Sequence, residues 1–127
     1  MRILIAEDDP QIATILRLAL ERVGGHEVVH AQNGEVALQY LEEAQFDLMI
    51  LDDQMPKITG LEVCRLHQDQ CRSESRESIP AIFLSAQNNS EKSRRFYEFG
   101  IGFIAKPFSP TSICQEIIEI LETRKVA

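Results

Sequence analysis

The amino-acid sequence predicts an α/β domain built on a parallel sheet, and three observations support this. Five short apolar runs of strand length alternate with five segments whose apolar residues recur at helical spacing. The runs are nearly continuous in apolar residues, which is typical of strands covered on both faces. Polar or charged residues follow most of the runs. This alternation predicts helices on both sides of the sheet.

The first strand and helix are separated by an abrupt change from apolar to acidic residues. Residues 2–6 predict a buried strand, and residues 7–9 are all acidic. Asp9 followed by Pro10 is typical of a helix N-cap and the first helical position. Apolar residues then recur at helical spacing as far as the glycine pair at 24–25, which predicts the end of the helix.

The next two strands are predicted on either side of a short helix. Residues 26–31 form a half-apolar second strand, and a turn signal at residues 33–34 precedes the second helix. Residues 48–51 suit one buried strand and are too few for a helix. This third strand ends abruptly at two carboxylates, Asp52 and Asp53.

The third helix and the fourth strand begin the second half of the chain. A helix is predicted after Gly60, and the polar segment 68–78 is interpreted as its end plus a loop. Residues 79–84 predict the fourth strand, in which Pro80 is tolerated only near the start. The strand leads to Ser85.

The last three elements follow the same order. The fourth helix carries Phe96 and Phe99, both predicted to lie in the core, and Gly100 closes it. Residues 102–105 predict a short fifth strand. The cap-then-proline signal at residues 109–110 predicts the start of the fifth helix.

Length and charge restrict the class of protein. The chain has 127 residues and a net charge of -7, which suits one domain covering residues 1–127. The negative charge argues against direct binding of nucleic acid or of an anionic membrane. The absence of a signal segment and of an 18-residue apolar run predicts a cytoplasmic protein.

The cysteines and histidines show no grouping typical of a metal site. The cysteines are predicted to be reduced structural thiols (Cys64, Cys71, Cys114), and the histidines to lie at the surface or on strands (His26, His30, His67).

The strand ends carry the chemistry of the predicted site. Right-handed crossovers place the carboxyl ends of all strands at one edge of the sheet, where ligands bind in open α/β folds. That edge would gather Glu7, Asp8, Asp52, Ser85 and Lys106. Two like charges 4 Å apart repel by about 1 kcal/mol in water and about 4 kcal/mol at an effective dielectric of 20. Mg²⁺ would relieve this repulsion, and an aspartate beside it could form an acyl phosphate.

Four motifs at these strand ends, ILIAEDDP, LDDQMPKITG, IFLSA and FIAKPF, carry a family resemblance. In this order they resemble the receiver domain of two-component response regulators, the CheY-like family, over essentially the whole chain. The resemblance implies a flavodoxin-like, doubly wound sheet of five parallel strands in the order 2-1-3-4-5, with five helices. It also implies a signalling switch that promotes only its own phosphorylation and dephosphorylation, rather than an enzyme acting on other substrates.

The resemblance assigns roles to the acidic residues. Asp52 becomes the phosphoacceptor, Asp8 a direct Mg²⁺ ligand, and Glu7 an acid that holds the metal through water. Gln54 would offer its backbone carbonyl to the metal. Successive side chains on a strand point to opposite sides, so only Asp52 or Asp53 can face the metal, and the spacing to the following Met-Pro favours Asp52. Asp9 is interpreted as a helix cap rather than a metal ligand.

The resemblance also assigns the phosphoryl contacts and the switch. Ser85 and Lys106 would contact the phosphoryl oxygens, and a cis peptide bond is implied between Lys106 and Pro107. Ser85 would move inward on phosphorylation, and the rotamer of Phe103 would follow, changing the face formed by the fourth helix, fifth strand and fifth helix. Gln54 and Gln87 occupy positions that influence loss of the phosphoryl group in this family.

The sequence departs from the common family pattern in three places, none of which removes a catalytic group. Phe103 stands where tyrosine is frequent, so the switch would depend on packing without a hydroxyl. The segment 100–103 is one residue shorter than usual, and the stretch before Pro80 is a few residues longer.

The implied partners are a sensor histidine kinase or histidine-phosphotransfer protein and a downstream output protein or domain. Monomer and phosphorylation-dependent dimer both remain open. Three alternative functions remain open: a small aspartate-nucleophile phosphatase, a flavodoxin-like nucleotide binder, and an interaction module independent of phosphorylation. The acidic loop at residues 7–9 disfavours the nucleotide binder, because it would repel phosphate.

Overall fold

The computed structural model describes residues 1–86 and 90–126, with side chains for residues 1–86 and 93–123. The strands are β1 (Arg2–Ala6), β2 (Glu27–Ala31), β3 (Leu48–Asp52), β4 (Ala81–Ser85) and β5 (Gly102–Ala105). The helices are α1 (Pro10–Leu18), α2 (Gly34–Glu43), α3 (Gly60–Ser73), α4 (Ser90–Phe99) and α5 (Ile113–Val126). A π-helical turn, Ala19–Val23, continues α1.

The five strands form one parallel sheet in the order β2-β1-β3-β4-β5. This confirms the predicted fold class and strand order. All five residues of β3 and of β4 are buried, as the continuous apolar runs predict. Among the described helices, none has the length and apolar character required to cross a bilayer.

A hydrophobic core lies on each face of the sheet. One core joins alternate strand residues to α1 and α5 through Leu16, Leu20, Ile113 and Ile117. The other joins the intervening strand residues to α2, α3 and α4 through Ala37, Leu41, Val63 and Phe96. The alternation assigns each residue at a strand tip to one face or the other, and this determines which side chains can meet at the functional edge.

The boundaries of three elements differ from those expected. β2 begins at Glu27 rather than at residue 26, and β4 begins at Ala81 rather than at residue 79. Proline has no N–H group, so Pro80 joins the sheet only as an acceptor, from Met49 N at 3.0 Å. α5 begins at Ile113, after a turn closed by the Ser109 carbonyl.

α3 continues to Ser73 and residues 74–80 follow it as a turn and loop, which agrees with the helix end plus loop predicted for this polar segment. The helix persists because Val63, His67 and Cys71 lie on one face and are buried. The predicted surface position of His67 is wrong: its side chain is 2% exposed, and its Nε2 accepts from Ile79 N at 3.1 Å. Burial lowers the pKa of His67, and the nearby Arg76 lowers it further.

The remaining minor predictions agree with the structure. All three cysteines are free and buried, and burial raises the pKa of Cys64 to about 12. Phe96 is fully buried and Phe99 packs against the same core. His30 lies on β2 and its Nε2 donates to the Glu7 carbonyl at 2.8 Å.

Candidate functional site

Three carboxylates meet at the carboxyl edge of the sheet. Glu7 follows β1, Asp8 comes next, and Asp52 is the last residue of β3. One oxygen from each lies within 4.8 Å of the others. β1 and β3 are neighbours with Ala6 opposite Leu51, so the residues that follow each strand end side by side. Glu7 and Asp52 are buried, whereas Asp8 is exposed to solvent.

Lys106 approaches this cluster from β5. Its Nζ donates to Asp52 Oδ1 at 2.8 Å and to Glu7 Oε2 at 3.0 Å. The three side chains share a face because Glu7, Asp52 and Lys106 continue the alternation set by Ile5, Ile50 and Ile104, which all belong to the core beneath α1 and α5. The Lys106–Pro107 peptide bond is cis, as the resemblance implied.

Burial dominates the electrostatics of this cluster. It raises the pKa of Glu7 to about 7, although the hydrogen bond from Lys106 acts in the opposite direction. Burial also raises the pKa of Asp52, again opposed by Lys106. Burial alone would lower the pKa of Lys106, but its hydrogen bonds to Asp52 and Glu7 outweigh this effect and raise it. Burial thus makes the charged forms of Glu7 and Asp52 costly, and Lys106 offsets only part of this cost.

The donor set fits a hard divalent cation. The three carboxylates and Gln54 line an open pocket of about 280 Å³ together with Lys106. Mg²⁺ prefers oxygen ligands and is commonly bound by one or two carboxylates with several waters retained. A cation among these oxygens would stabilise the ionised forms of Glu7 and Asp52, which burial disfavours. Of the residues predicted to meet at this edge, Glu7, Asp8, Asp52 and Lys106 lie together, whereas Ser85 contacts Asp53 instead.

Asp52 and Asp53 face different partners, as strand alternation requires. Asp52 contacts Lys106, whereas Asp53 Oδ2 accepts from Ser85 Oγ at 3.3 Å. Both Asp53 and Ser85 are buried. The sequence identifies Asp53 only as the less favoured of two adjacent phosphoacceptor candidates and does not predict its contact with Ser85. An acidic residue at a position that alternation directs into a core was the available signal.

Gly60 packs directly against the backbone of the predicted acceptor. A Cβ atom placed on Gly60 would lie 2.4 Å from the Asp52 carbonyl oxygen, so the position has no room for a side chain. Thr59 caps α3 with Glu62 in a capping box, which fixes the start of the helix beside this contact. The sequence indicated a helix start here but not the close approach.

Asp9 and Phe103 are the other residues to which the sequence assigned a role and whose side chains the structure describes. Asp9 caps α1 through hydrogen bonds from Gln11 N at 2.9 Å and Ile12 N at 3.4 Å, which confirms its interpretation as a cap. Phe103 is half-buried, with its ring centroid 5.5 Å from that of Phe96 and 6.2 Å from that of Tyr97. Gln87 lies outside the described residues.

Comparison with known proteins identifies the class to which this fold and site belong. The family model for the response regulator receiver domain matches residues 3–118. The chain therefore belongs to the response regulator receiver domain family of two-component systems.

Individual relatives agree with this assignment. The chain is 32% identical over 127 residues to the alkaline phosphatase synthesis transcriptional regulatory protein PhoP of Bacillus subtilis, covering 99% of this chain and 50% of PhoP. It thus spans about half the length of the curated relatives it matches. The chemotaxis protein CheY4 of Vibrio cholerae superposes with a TM-score of 0.82 at 26% identity, covering 94% of this chain and 97% of CheY4. A CheY-like receiver domain protein from Methanospirillum hungatei superposes with a TM-score of 0.81 at 25% identity, covering 99% of this chain and 98% of that protein.

Proposed function

We propose that this chain is a phosphorylation-controlled switch in which Asp52 accepts a phosphoryl group from phosphohistidine. The donor would be a sensor histidine kinase or a histidine-phosphotransfer protein. The observation that carries the proposal is the convergence of Glu7, Asp8 and Asp52 from two strand tips with Lys106 from a third. The family assignment supports the same function.

Asp8, Asp52 and the Gln54 backbone carbonyl would hold Mg²⁺, with Glu7 acting through water. When bound, the cation neutralises charge on the carboxylates and on the incoming phosphoryl oxygens. Its binding is supported by the grouping of three carboxylate oxygens within 4.8 Å of one another, since a cation there would offset the burial that disfavours the ionised forms of Glu7 and Asp52.

In the transfer step an Asp52 carboxylate oxygen attacks phosphorus. The new oxygen–phosphorus bond forms as the nitrogen–phosphorus bond of phosphohistidine breaks, and the imidazole nitrogen keeps the electron pair. Lys106 Nζ, already 2.8 Å from Asp52 Oδ1, would move its hydrogen bond to a phosphoryl oxygen. The reaction then consists mainly of positioning and charge neutralisation.

The readout would use Ser85 and Phe103. A phosphoryl group brings a charge of about -1.5 to -2 and three strong acceptors, and Ser85 would donate to one of them. Phe103 would then rotate toward the space that Ser85 vacates. This rotation would alter a surface cavity of about 310 Å³ that Phe103 lines with Tyr97 and Ile120, between α4, β5 and α5. A downstream output protein or domain would recognise that face.

The other expectations follow from this role. The whole chain, residues 1–127, would act as one receiver domain in the cytoplasm, without binding nucleic acid or membrane directly. It would promote its own phosphorylation and dephosphorylation without turning over a separate substrate.

The test is to treat the wild type and Asp52→Asn with acetyl phosphate and Mg²⁺ and to measure intact mass. The wild type is expected to gain one phosphoryl mass, which EDTA prevents, while Asp52→Asn gains none. Asp53→Asn is the matched control and is expected to gain one phosphoryl mass, as the wild type does. Equal modification of the wild type and Asp52→Asn would eliminate the assignment. Rapid turnover of a phosphomonoester would favour the phosphatase instead.

A further inference from the structure

Asp53 and Ser85 lie on the same face of the sheet, opposite to that of Asp52. Phe83 on β4 belongs to the core beneath α3 and α4, so Ser85, two residues later, continues that face. Leu51 belongs to the same core, which directs Asp53 to that side also. The Asp53 amide donates to the Leu84 carbonyl at 2.8 Å and holds the two residues next to each other.

The chemistry of this contact fixes the direction of the hydrogen bond. The carboxylate oxygen accepts and the Ser85 hydroxyl donates its one proton to Asp53 Oδ2 at 3.3 Å. The Asp53 side chain is only 5% exposed and Ser85 only 2%. A largely buried carboxylate that loses a hydrogen-bond donor incurs a free-energy cost. Asp53 therefore stabilises the position of Ser85 seen here.

We propose that Asp53 is a positioning residue that competes with the phosphoryl group for the Ser85 hydroxyl and so favours the unphosphorylated state. This inference rests on the proposed function, because it requires Ser85 to donate to a phosphoryl oxygen on Asp52. A single hydroxyl proton cannot serve both acceptors fully, so breaking the Asp53 contact opposes the switch. Asp53 contributes nothing to the transfer step itself.

Removing the acceptor is expected to strengthen phosphoryl-analogue binding through Ser85. The affinity for beryllofluoride with Mg²⁺ is measured by calorimetry for the wild type, Asp53→Leu, Ser85→Ala and the double variant. Asp53→Leu also removes a negative charge near an anion site, which strengthens binding whether or not Ser85 is present. Asp53→Leu increases the affinity for beryllofluoride by some factor when Ser85 is present and by another factor in the Ser85→Ala background. The discriminating quantity is the ratio of the first factor to the second.

We expect that ratio to be about tenfold, which corresponds to one hydrogen bond to a charged group. Asp53→Asn keeps the shape and a neutral acceptor, so its ratio is expected to be smaller, about threefold. Thermal unfolding of each variant checks that it is folded, and the Asn variant carries the comparison if the Leu variant is not. A ratio near one for the folded variants would overturn the inference while leaving Asp52 as the acceptor.

A structure of the beryllofluoride-bound wild type supplies a test that needs no variant. Ser85 Oγ is expected to lie beyond hydrogen-bond distance of Asp53 Oδ2 and within it of a fluoride. A Ser85–Asp53 hydrogen bond retained in the bound state would contradict the competition. Failure of the wild type to bind beryllofluoride at all would overturn both this inference and the proposed function.

Discussion

At the scale of single residues, alternation along the strands explains which side chains meet. Glu7, Asp52 and Lys106 continue the face of the α1–α5 core, whereas Asp53 and Ser85 continue the opposite face. Adjacent aspartates thus acquire different environments: one contacts a lysine and the other a serine hydroxyl. Because adjacent side chains on a strand point to opposite faces of the sheet, Asp52 and Asp53 can be tested for separate functions.

Asp8→Asn is expected to have opposite effects with and without metal. Asp8 lies within 4.8 Å of Glu7 and Asp52 but is exposed, so removing its charge should raise the free energy of unfolding in EDTA by up to about 1 kcal/mol. In excess Mg²⁺ the same variant should be stabilised less than the wild type, because a metal ligand is lost. Urea denaturation with and without Mg²⁺ measures both effects.

Asp9→Asn is the matched control for this experiment. Asp9 caps α1 instead of joining the cluster, and asparagine caps a helix about as well as aspartate. Its response to Mg²⁺ should equal that of the wild type. An Asp8→Asn protein that Mg²⁺ stabilises as fully as the wild type would contradict the proposed ligand set.

At the scale of elements, the features that depend on neighbouring residues could be predicted from the sequence, and those that depend on tertiary contacts could not. The sequence predicted the apolar strands, the Asp9 cap and the helix start at Gly60, because each of these depends on neighbouring residues. The burial of His67 was not predicted, because the polar composition of α3 hides buried side chains at helical spacing. The Ser85–Asp53 contact was also hidden, since it joins residues 32 positions apart.

His67 makes the packing of α3 against the segment before β4 sensitive to pH. Its Nε2 accepts from Ile79 N, so the folded state requires a neutral ring, and burial lowers the pKa of His67 below its ordinary 6.5. The unfolded chain therefore binds more protons below about pH 6.5, and the free energy of unfolding must fall as pH decreases through that range. One proton accounts for at most about 1.4 kcal/mol per pH unit.

His67→Gln isolates this contribution, because an amide oxygen can accept from Ile79 N and does not titrate. Urea denaturation from about pH 7 to about pH 5 is expected to show the wild type losing stability relative to the variant. Burial also lowers the pKa of His26, and the titrating Glu7 is common to both proteins, so these effects cancel in the difference. Parallel curves for the two proteins would rule out His67 as the titrating group.

At the scale of the whole molecule, one sheet supports two cores, and the site lies at the edge common to both. A ligand bound at that edge contacts residues from β1, β3 and β5 together. It should therefore stabilise the whole cooperative unit and not one loop. The same connection would carry the signal from Asp52 to the face that contains Phe103.

Beryllofluoride with Mg²⁺ is accordingly expected to raise the free energy of unfolding of the wild type beyond the effect of Mg²⁺ alone. At about 100 times the dissociation constant the increase should be about 2.7 kcal/mol. Asp52→Asn should lose this increment, and omission of Mg²⁺ should abolish it in the wild type. Thermal unfolding that gives the same increment for both proteins would argue against Asp52 as the binding group.

The edge contact between Tyr97 and Phe103 has a practical consequence for detecting the switch. The chain has no tryptophan and two tyrosines, Tyr40 and Tyr97. Rotation of Phe103 would change the surroundings of one of these two intrinsic fluorophores. In a Tyr40→Phe background, ultraviolet-excited emission would follow the ring in real time without any attached dye.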